Sequence, residues 1–299
     1  MGSDALLGHV SFIGKRARIP QTPRAAYTSP MPEGPDGRPF RIVQISDLHC
    51  GGQHFVPNLL ERAISEVNDL APDIVICSGD LTTFGFKGEY AQAKAYLDQL
   101  VCKNVVVIPG NHDARNVGYV HFEQLFGERN SVLHYRGVSV VAVDSTAPDL
   151  DYGQIGRGRY RWIEEQFAPP ATLRIFVLHH HLLPVPGTGR ERNIVHDAGD
   201  SLECLQRAGV DLVLCGHKHV PYAWKLENLF IVNAGTVSSL RLRGNTRPCY
   251  NLIEIKGPRV EISRRYPFHG TDLIIEFELD TLAFRKFTAS IEGEVTTRS

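Results

Sequence analysis

Five apolar runs in this chain each end in side chains that bind metal well, and that recurrence restricts the fold more than any other feature. Residues 40–45 lead to Asp47 and His49. Residues 73–77 lead to Gly79-Asp80. Residues 104–109 lead to Gly110-Asn111-His112-Asp113. Residues 173–178 lead to His179-His180-His181, and residues 211–215 to Gly216-His217-Lys218-His219. Short apolar runs of this kind, rich in Val and Ile, read as buried strands. If the five lie in one sheet and point the same way, every donor meets at its carboxyl edge, where open α/β sheets place their sites.

The intervening segments fit that arrangement. Within 57–70, apolar positions 60, 63, 64, 67 and 70 trace one helical face, and Pro72 stops the helix. Residues 89–101 predict a second amphipathic helix with Tyr90, Ala93, Leu97 and Leu100 inward. Strand–helix–strand alternation predicts crossover units and a largely parallel sheet. A short helix near 119–126 precedes a hairpin of 132–135 and 138–143 about Arg136-Gly137. Asp144 reads either as an acid behind the metal donors or as a strand-end turn residue. Further helices are expected over 159–167, ended by Pro169-Pro170, and over 201–208, with Asp200 as cap and Gly209 as stop. The Pro/Gly-rich loop 182–200 is a candidate substrate wall.

After His219 the pattern changes to short strands at 222–226, 229–233, 249–255, 259–265, 273–278 and 283–288, with no helix between them. A second, mainly antiparallel sheet packed on the first is the expectation. Residues 1–39 stand apart as an arm. They hold Pro20, Pro23, Pro30, Pro32, Pro35 and Pro39 with few large apolar residues, and a basic cluster of Lys15, Arg16 and Arg18 that reads as solvated charge. The domain proper is residues 40–299.

In order, the donor set is D-x-H, G-D, G-N-H-D, H and G-H-x-H. It resembles the calcineurin-like metallophosphoesterase superfamily, and within it the bacterial class III cyclic-nucleotide phosphodiesterases, over roughly residues 40–235. The resemblance implies a four-layered α/β sandwich, two packed sheets flanked by helices. It also implies two metal ions: Asp47, His49 and His219 on one, Asn111, His179 and His217 on the other, with Asp80 bridging. Imidazole and carboxylate together suit Mn, Fe or Zn. By resemblance His112 is the hydrogen-bond donor to phosphate or leaving oxygen, and a metal-bridging hydroxide attacks the phosphodiester. Adjacency suggests that Asp113 fixes the tautomer of His112. In D-x-H and H-x-H, alternate positions of an extended segment would point both donors at one cluster. Where the family has His-His-Pro, this chain reads His-His-His-Leu-Leu-Pro, so His179 and His180 exchange as ligand if the register slips by one. Otherwise His180 faces substrate or backs the ligands.

Composition narrows the partners. With 32 Lys and Arg against 33 Asp and Glu, the chain lacks the basic excess of a nucleic-acid binder. Six cysteines form no C-x-x-C pair, which fits a reduced, cytoplasmic protein. No signal peptide or membrane span is expected. Arg157, Arg159 and Arg161, and separately Arg241, Arg243 and Arg247, read as solvated surface, with phosphate binding as the alternative. The expectation is a phosphodiesterase for small phosphodiesters, cyclic 3′,5′-nucleotides foremost, and a homodimer is one possible assembly. Other phosphoesterases are the enzyme alternatives: phosphomonoester, glycerophosphodiester, lipid pyrophosphate or nuclease. A non-catalytic scaffold on the same fold is the remaining one.

Overall fold

Period-two alternation along the strands builds the interior. The computed structural model describes residues 30–188, 194–243 and 246–287. Strands β1 (Phe40–Ile45), β2 (Ile74–Cys77) and β3 (Val105–Val107) run parallel. Helices α1 (Pro57–Leu70) and α2 (Lys87–Leu97) cross between them. Ile42, Ile74 and Ile76 face one side of this sheet, and Val43, Ile45, Val75 and Cys77 the other. Both faces are apolar, as a strand covered on both sides requires. Helix α1 begins on Pro57, whose missing N–H costs nothing there, and buries Leu60, Ala63, Ile64 and Val67.

Helix α3 (Gly118–Phe126) leads into the hairpin of β4 (Ser131–Tyr135) and β5 (Val138–Ala142). Its turn residues Arg136 and Gly137 both have positive φ, 48° and 79°, matching the right-handed twist of the strands. Then follow α4 (Tyr160–Phe167), β6 (Leu173–Val177), α5 (Ala198–Arg207), β7 (Leu212–Cys215), β8 (Tyr222–Leu226) and β9 (Leu229–Asn233). An antiparallel run completes the chain: β10 (Tyr250–Lys256), β11 (Arg259–Arg265), β12 (Thr271–Glu278) and β13 (Phe284–Lys286).

Two sheets result, ordered β13-β12-β11-β10-β1-β2-β3 and β4-β5-β6-β7-β9-β8. They face each other across a core that includes Phe40, Ile76, Val140, Ile175, Leu214, Phe230 and Phe277. Residues of α1, α2 and α3 pack on the outer face of the first sheet, and those of α4 and α5 on the outer face of the second. This is the four-layered α/β sandwich.

Two expectations change. The five donor strands do not share one sheet: β1, β2 and β3 lie in the first, β6 and β7 in the second. The late strands do not build a sheet of their own. β8 and β9 join the second sheet, and β10 pairs antiparallel with β1. Alternation reports that a strand is buried, not which neighbour it pairs with. The outer edge of β1 was an unpaired ladder, and β10 closes it.

Local corrections are smaller. Helix α5 starts at Ala198, so Asp200 sits in its first turn and pairs with Arg157. Asp197 precedes the helix, and its carboxylate accepts from Ile155 N at 3.0 Å, Gly156 N at 2.7 Å and Tyr160 Oη at 2.6 Å. Asp144 takes the turn role, accepting from Thr146 N at 2.7 Å and pairing with Arg129 at 2.9 Å. Of the arm, Pro30 O accepts from Thr172 Oγ1 at 2.9 Å and Glu33 O from Arg136 at 3.0 Å, beside the hairpin turn, while Arg38 pairs with Asp73 at 2.9 Å. Lys15, Arg16, Arg18, Pro20 and Pro23 fall outside the described residues.

Candidate metal centre

The parallel strands of both sheets release their chains at one shared edge, and hydrogen bonds between the loops knit that edge together. Asp47 N donates to Gly79 O at 2.9 Å, His49 N to Asp80 O at 3.0 Å, and Gly216 N to His179 O at 2.9 Å. The approach is close enough to require glycine. A Cβ on Gly110 would lie 2.2 Å from Asp80 Oδ1, and one on Gly216 would lie 2.1 Å from Ser46 Oγ.

The donors do not sit on extended segments. Asp47, His49, Asp80, His217 and His219 all have positive φ, between 54° and 76°. Alternation therefore does not aim the paired rings, as the D-x-H and H-x-H spacing had suggested. A left-handed residue at each donor turns the chain back on itself instead. Such conformations are costly for residues with a Cβ and persist only where neighbours enforce them. Here Thr236 Oγ1 donates to Asp47 O at 2.6 Å, Ser238 Oγ to Leu48 O at 2.9 Å and Thr83 Oγ1 to His49 O at 3.0 Å.

Two donor groups form around one carboxylate. His49 Nε2 lies 2.8 Å from His219 Nε2 and 3.7 Å from Asp80 Oδ2, while His219 Nε2 lies 3.3 Å from Asp47 Oδ1. On the other side, His179 Nε2 lies 3.3 Å from the same Asp80 Oδ2 and 3.2 Å from Asn111 Oδ1. His217 Nδ1 is 2.8 Å from that Asn111 oxygen. Asp47, Asp80, Asn111 and His179 are all buried.

The hydrogen-bond chemistry fits bound cations. His179 Nδ1 donates to Ser78 O at 2.8 Å and His219 Nδ1 to Arg241 O at 2.6 Å. Each neutral ring therefore turns a lone pair on Nε2 toward carboxylate or amide oxygens, which are also acceptors. An acceptor-only cluster needs positive charge at its centre, either as protons on imidazole or as metal ions. The balance of burial and charge makes the same demand. Burial raises Asp80, but the charges of His179 and His112 outweigh it and hold the carboxyl well below its ordinary range. Burial lowers His179, yet Asp80 beside it carries the ring up to about 9. His49, with burial dominant, falls to about 3.

His112 is nearly buried, and its Nδ1 hydrogen goes to Thr83 O at 2.7 Å. The tautomer is thus fixed by a carbonyl and not by Asp113. The Asp113 carboxylate instead accepts from Gly110 N at 2.8 Å, Leu81 N at 3.0 Å, Thr82 N at 2.8 Å and Thr82 Oγ1 at 2.7 Å. It clamps the loops after β2 and β3 together, with burial and the nearby Asp80 charge raising its pKa to about 7 against the pull of those donors. Of the histidine triplet, His179 is the one that reaches Asp80 and Asn111. His180 is fully buried with Nδ1 2.9 Å from Ser145 Oγ and its ring 4.7 Å from that of His217.

A cavity of about 80 Å³ opens over the donors, walled by Asp80, Asn111, His112, His217 and His219 together with Arg115, Asp151, Lys218, Arg241 and Arg243. A larger one of about 540 Å³ adjoins it, sharing His112, Arg115 and Arg241 and adding Phe55, Phe84, His54 and Gln53. The sequence reading missed Arg115, Asp151 and Lys218; Arg241 and Arg243, read as solvated surface with phosphate binding as the alternative, are exposed and stand at the cavity wall. A signal existed for two of them: Lys218 stands inside the H-x-H motif, and Arg115 two residues beyond Asp113. Arg157 and Arg161 do pair with surface carboxylates, Asp200 and Glu165.

The chain belongs to the calcineurin-like phosphoesterase family, whose model matches residues 40–221. It is 29% identical over 196 residues to a probable cyclic nucleotide phosphodiesterase of Rhodococcus erythropolis, a match that spans 60% of this chain and 64% of that protein. It is 28% identical over 197 residues to a probable glycerophosphodiester phosphodiesterase of Arcobacter nitrofigilis, spanning 60% of this chain and 71% of the relative. A purple acid phosphatase of yellow lupin superposes with a TM-score of 0.63 over 78% of this chain and 52% of its own, at 17% identity, a likeness of fold alone. Among the described residues no helix is long and apolar enough to cross a membrane.

Proposed function

We propose that this protein is a metal-dependent phosphodiesterase for small phosphodiesters, with cyclic 3′,5′-nucleotides the first class to test. The observation that carries the reading is the sharing of Asp80 Oδ2 by two donor groups beneath a cavity walled by His112. In this reading Asp47, His49, Asp80 and His219 hold one ion, and Asp80, Asn111, His179 and His217 the other. Mn, Fe and Zn all suit such a set. A metal pair supplies an activated water and neutralises charge on the phosphoryl group.

The chain's own residues do the positioning. Ser78 O and Arg241 O aim His179 and His219 at the centre. Asp113 holds Asn111 and Asp80 in register by accepting from Gly110 N, just before Asn111, and from Leu81 N and Thr82 N, just after Asp80. Thr83 O occupies Nδ1 of His112. In the protonated ring this leaves Nε2–H for the phosphoryl or leaving oxygen, a general-acid role. The similarity to proteins named as cyclic-nucleotide and glycerophosphodiester phosphodiesterases supports a diester substrate.

The test is hydrolysis of 3′,5′-cyclic AMP and bis(p-nitrophenyl) phosphate by metal-stripped protein, before and after Mn²⁺ is restored. Turnover of both, only with the ion, is expected. Turnover of the second alone discards the cyclic-nucleotide class. Silence on both with ion bound replaces the enzyme by a scaffold.

A further inference from the structure

Two phenylalanines stand half out of the fold beside the donor edge. Phe84 is 46% exposed and Phe86 51%, with ring centroids 5.9 Å apart. Aromatic side chains gain by burial, so a neighbouring pair left in water marks a surface with a use. The turn that carries them is braced. Between them Gly85 has a φ of 75°, and a Cβ there would lie 2.3 Å from Arg115 O. The Glu89 carboxylate accepts from Phe84 N at 2.8 Å and from Phe86 N at 3.2 Å, and Asn116 Nδ2 donates to Phe84 O at 2.9 Å. Phe84 is thus held in place by its backbone while its ring stays open.

Phe84 lines the larger cavity, of about 540 Å³, whose walls also include His49, His112, Phe55 and Gln53. The wall made by residues 51–55 is braced in turn: Val56 N donates to Ser238 O at 2.8 Å and Leu240 N to His54 O at 2.9 Å. His112 stands in both cavities. If it gives its proton to the leaving oxygen, the group bonded to that oxygen lies on the His112 side, which opens into the larger cavity. A cavity of this size with aromatic walls suits a ring system, whereas a glycerol group is small against it and has no flat face to offer. Aromatic faces bind bases by stacking, whichever base it is. The Gln53 amide adds a donor and an acceptor for the edge of a ring. We propose that this cavity is the leaving-group subsite, that it takes a flat aromatic group such as a nucleobase, and that Phe84 decides between nucleotide and glycerol diesters. The proposal rests on the phosphoesterase reading and makes Phe84 a specificity residue, with no part in the chemistry itself.

The test compares the Mn²⁺-loaded full chain with Phe84→Ala, Phe84→Leu and Phe84→Trp, each checked for melting temperature and ion content. The substrates are 3′,5′-cyclic AMP and glycerophosphoglycerol, whose organic groups carry no ring. The ratio of their kcat/KM values is expected to shift about tenfold against cyclic AMP in the alanine and leucine variants, through KM. In the tryptophan variant it should stay within about twofold of wild type. A ratio unmoved by Phe84→Ala, or kept by Phe84→Leu, overturns the proposal. In a second arm adenosine, which has no phosphate, is titrated by NMR into wild type and Phe84→Ala. Binding that weakens about tenfold in the variant is expected; no binding to wild type, or equal binding to both, contradicts it. This arm decides alone if neither diester turns over. Adenosine held through Phe84, with no hydrolysis even of bis(p-nitrophenyl) phosphate, upholds the subsite and sinks the phosphoesterase reading. Hydrolysis that is indifferent to Phe84 in both arms does the reverse.

Discussion

The interior of the two sheets and their carboxyl edge obey opposite rules. In the interior, Ile42, Ile74, Ile76, Val140, Ile175 and Leu214 share one apolar core, the buried Gln44 beside them has its amide partnered by Cys215 O and Asn251, and the strands there hold ordinary extended backbone. A few residues further along, buried positions become Asp47, Asp80, Asn111 and His179, and five donors adopt left-handed backbone. Stability is concentrated in the first region and function in the second. The edge tolerates buried charge and strained turns because the interior, and a lattice of loop hydrogen bonds, leave the chain nowhere else to go.

Mutations should separate the two regions. Asp80→Ala, which removes the oxygen common to both donor groups, is expected to reduce hydrolysis of bis(p-nitrophenyl) phosphate to the uncatalysed level; near-normal rates would end the shared-carboxylate assignment. His112→Ala should lower kcat by about 10²–10⁴-fold with ion content and melting temperature near wild type. Ion loss in that variant would place His112 among the ligands. Ile76→Ala is the mirror experiment in the interior. It should cost about 2–5 kcal/mol in denaturant unfolding, with kcat unchanged at temperatures where the protein stays folded. Thr236→Val removes the hydroxyl that donates to Asp47 O and accepts from Ser239 N. A loss of about 1–3 kcal/mol in stability is expected, together with weaker ion binding, since the left-handed turn at Asp47 loses its brace.

The gentlest probe is pH. His179 is held up to about 9 against an ordinary value of 6.5, burial notwithstanding, because Asp80 stands beside it. A raised histidine contributes stability that is complete below its unfolded pKa and is lost as pH rises through the folded one. The ion-free protein should therefore melt at steadily lower temperature between pH 6.5 and 9. Ion affinity should rise across the same window, by up to about tenfold per pH unit if one proton is displaced. Melting curves that stay flat in the ion-free protein would remove His179 as the carrier of that proton.

Much of this was legible in the sequence. The helix over 57–70 was read to its boundaries because apolar spacing and Pro72 both mark it. The donors stood out because each follows an apolar run. Pairing was not legible: β10 lies beside β1 although about 200 residues separate them, and nothing local to either strand announces its neighbour. The left-handed donors were missed for a different reason. Asp, His and Asn at a strand end are common turn residues, and only the tertiary frame shows which way the turn goes. Asp113 was paired with His112 on adjacency alone, whereas in the fold its carboxylate meets the backbone of another loop at Leu81 and Thr82. Arg241 and Arg243 are exposed, as read, but their distance in sequence from every motif hides their place at the cavity wall.

The central claim is that one carboxylate joins two ion sites. The most direct measurement is a crystal structure of the Mn²⁺-loaded protein with anomalous data. Two peaks about 3.5–4 Å apart, both in contact with Asp80, are the expected result. A single peak, or two peaks that do not share Asp80, would contradict it.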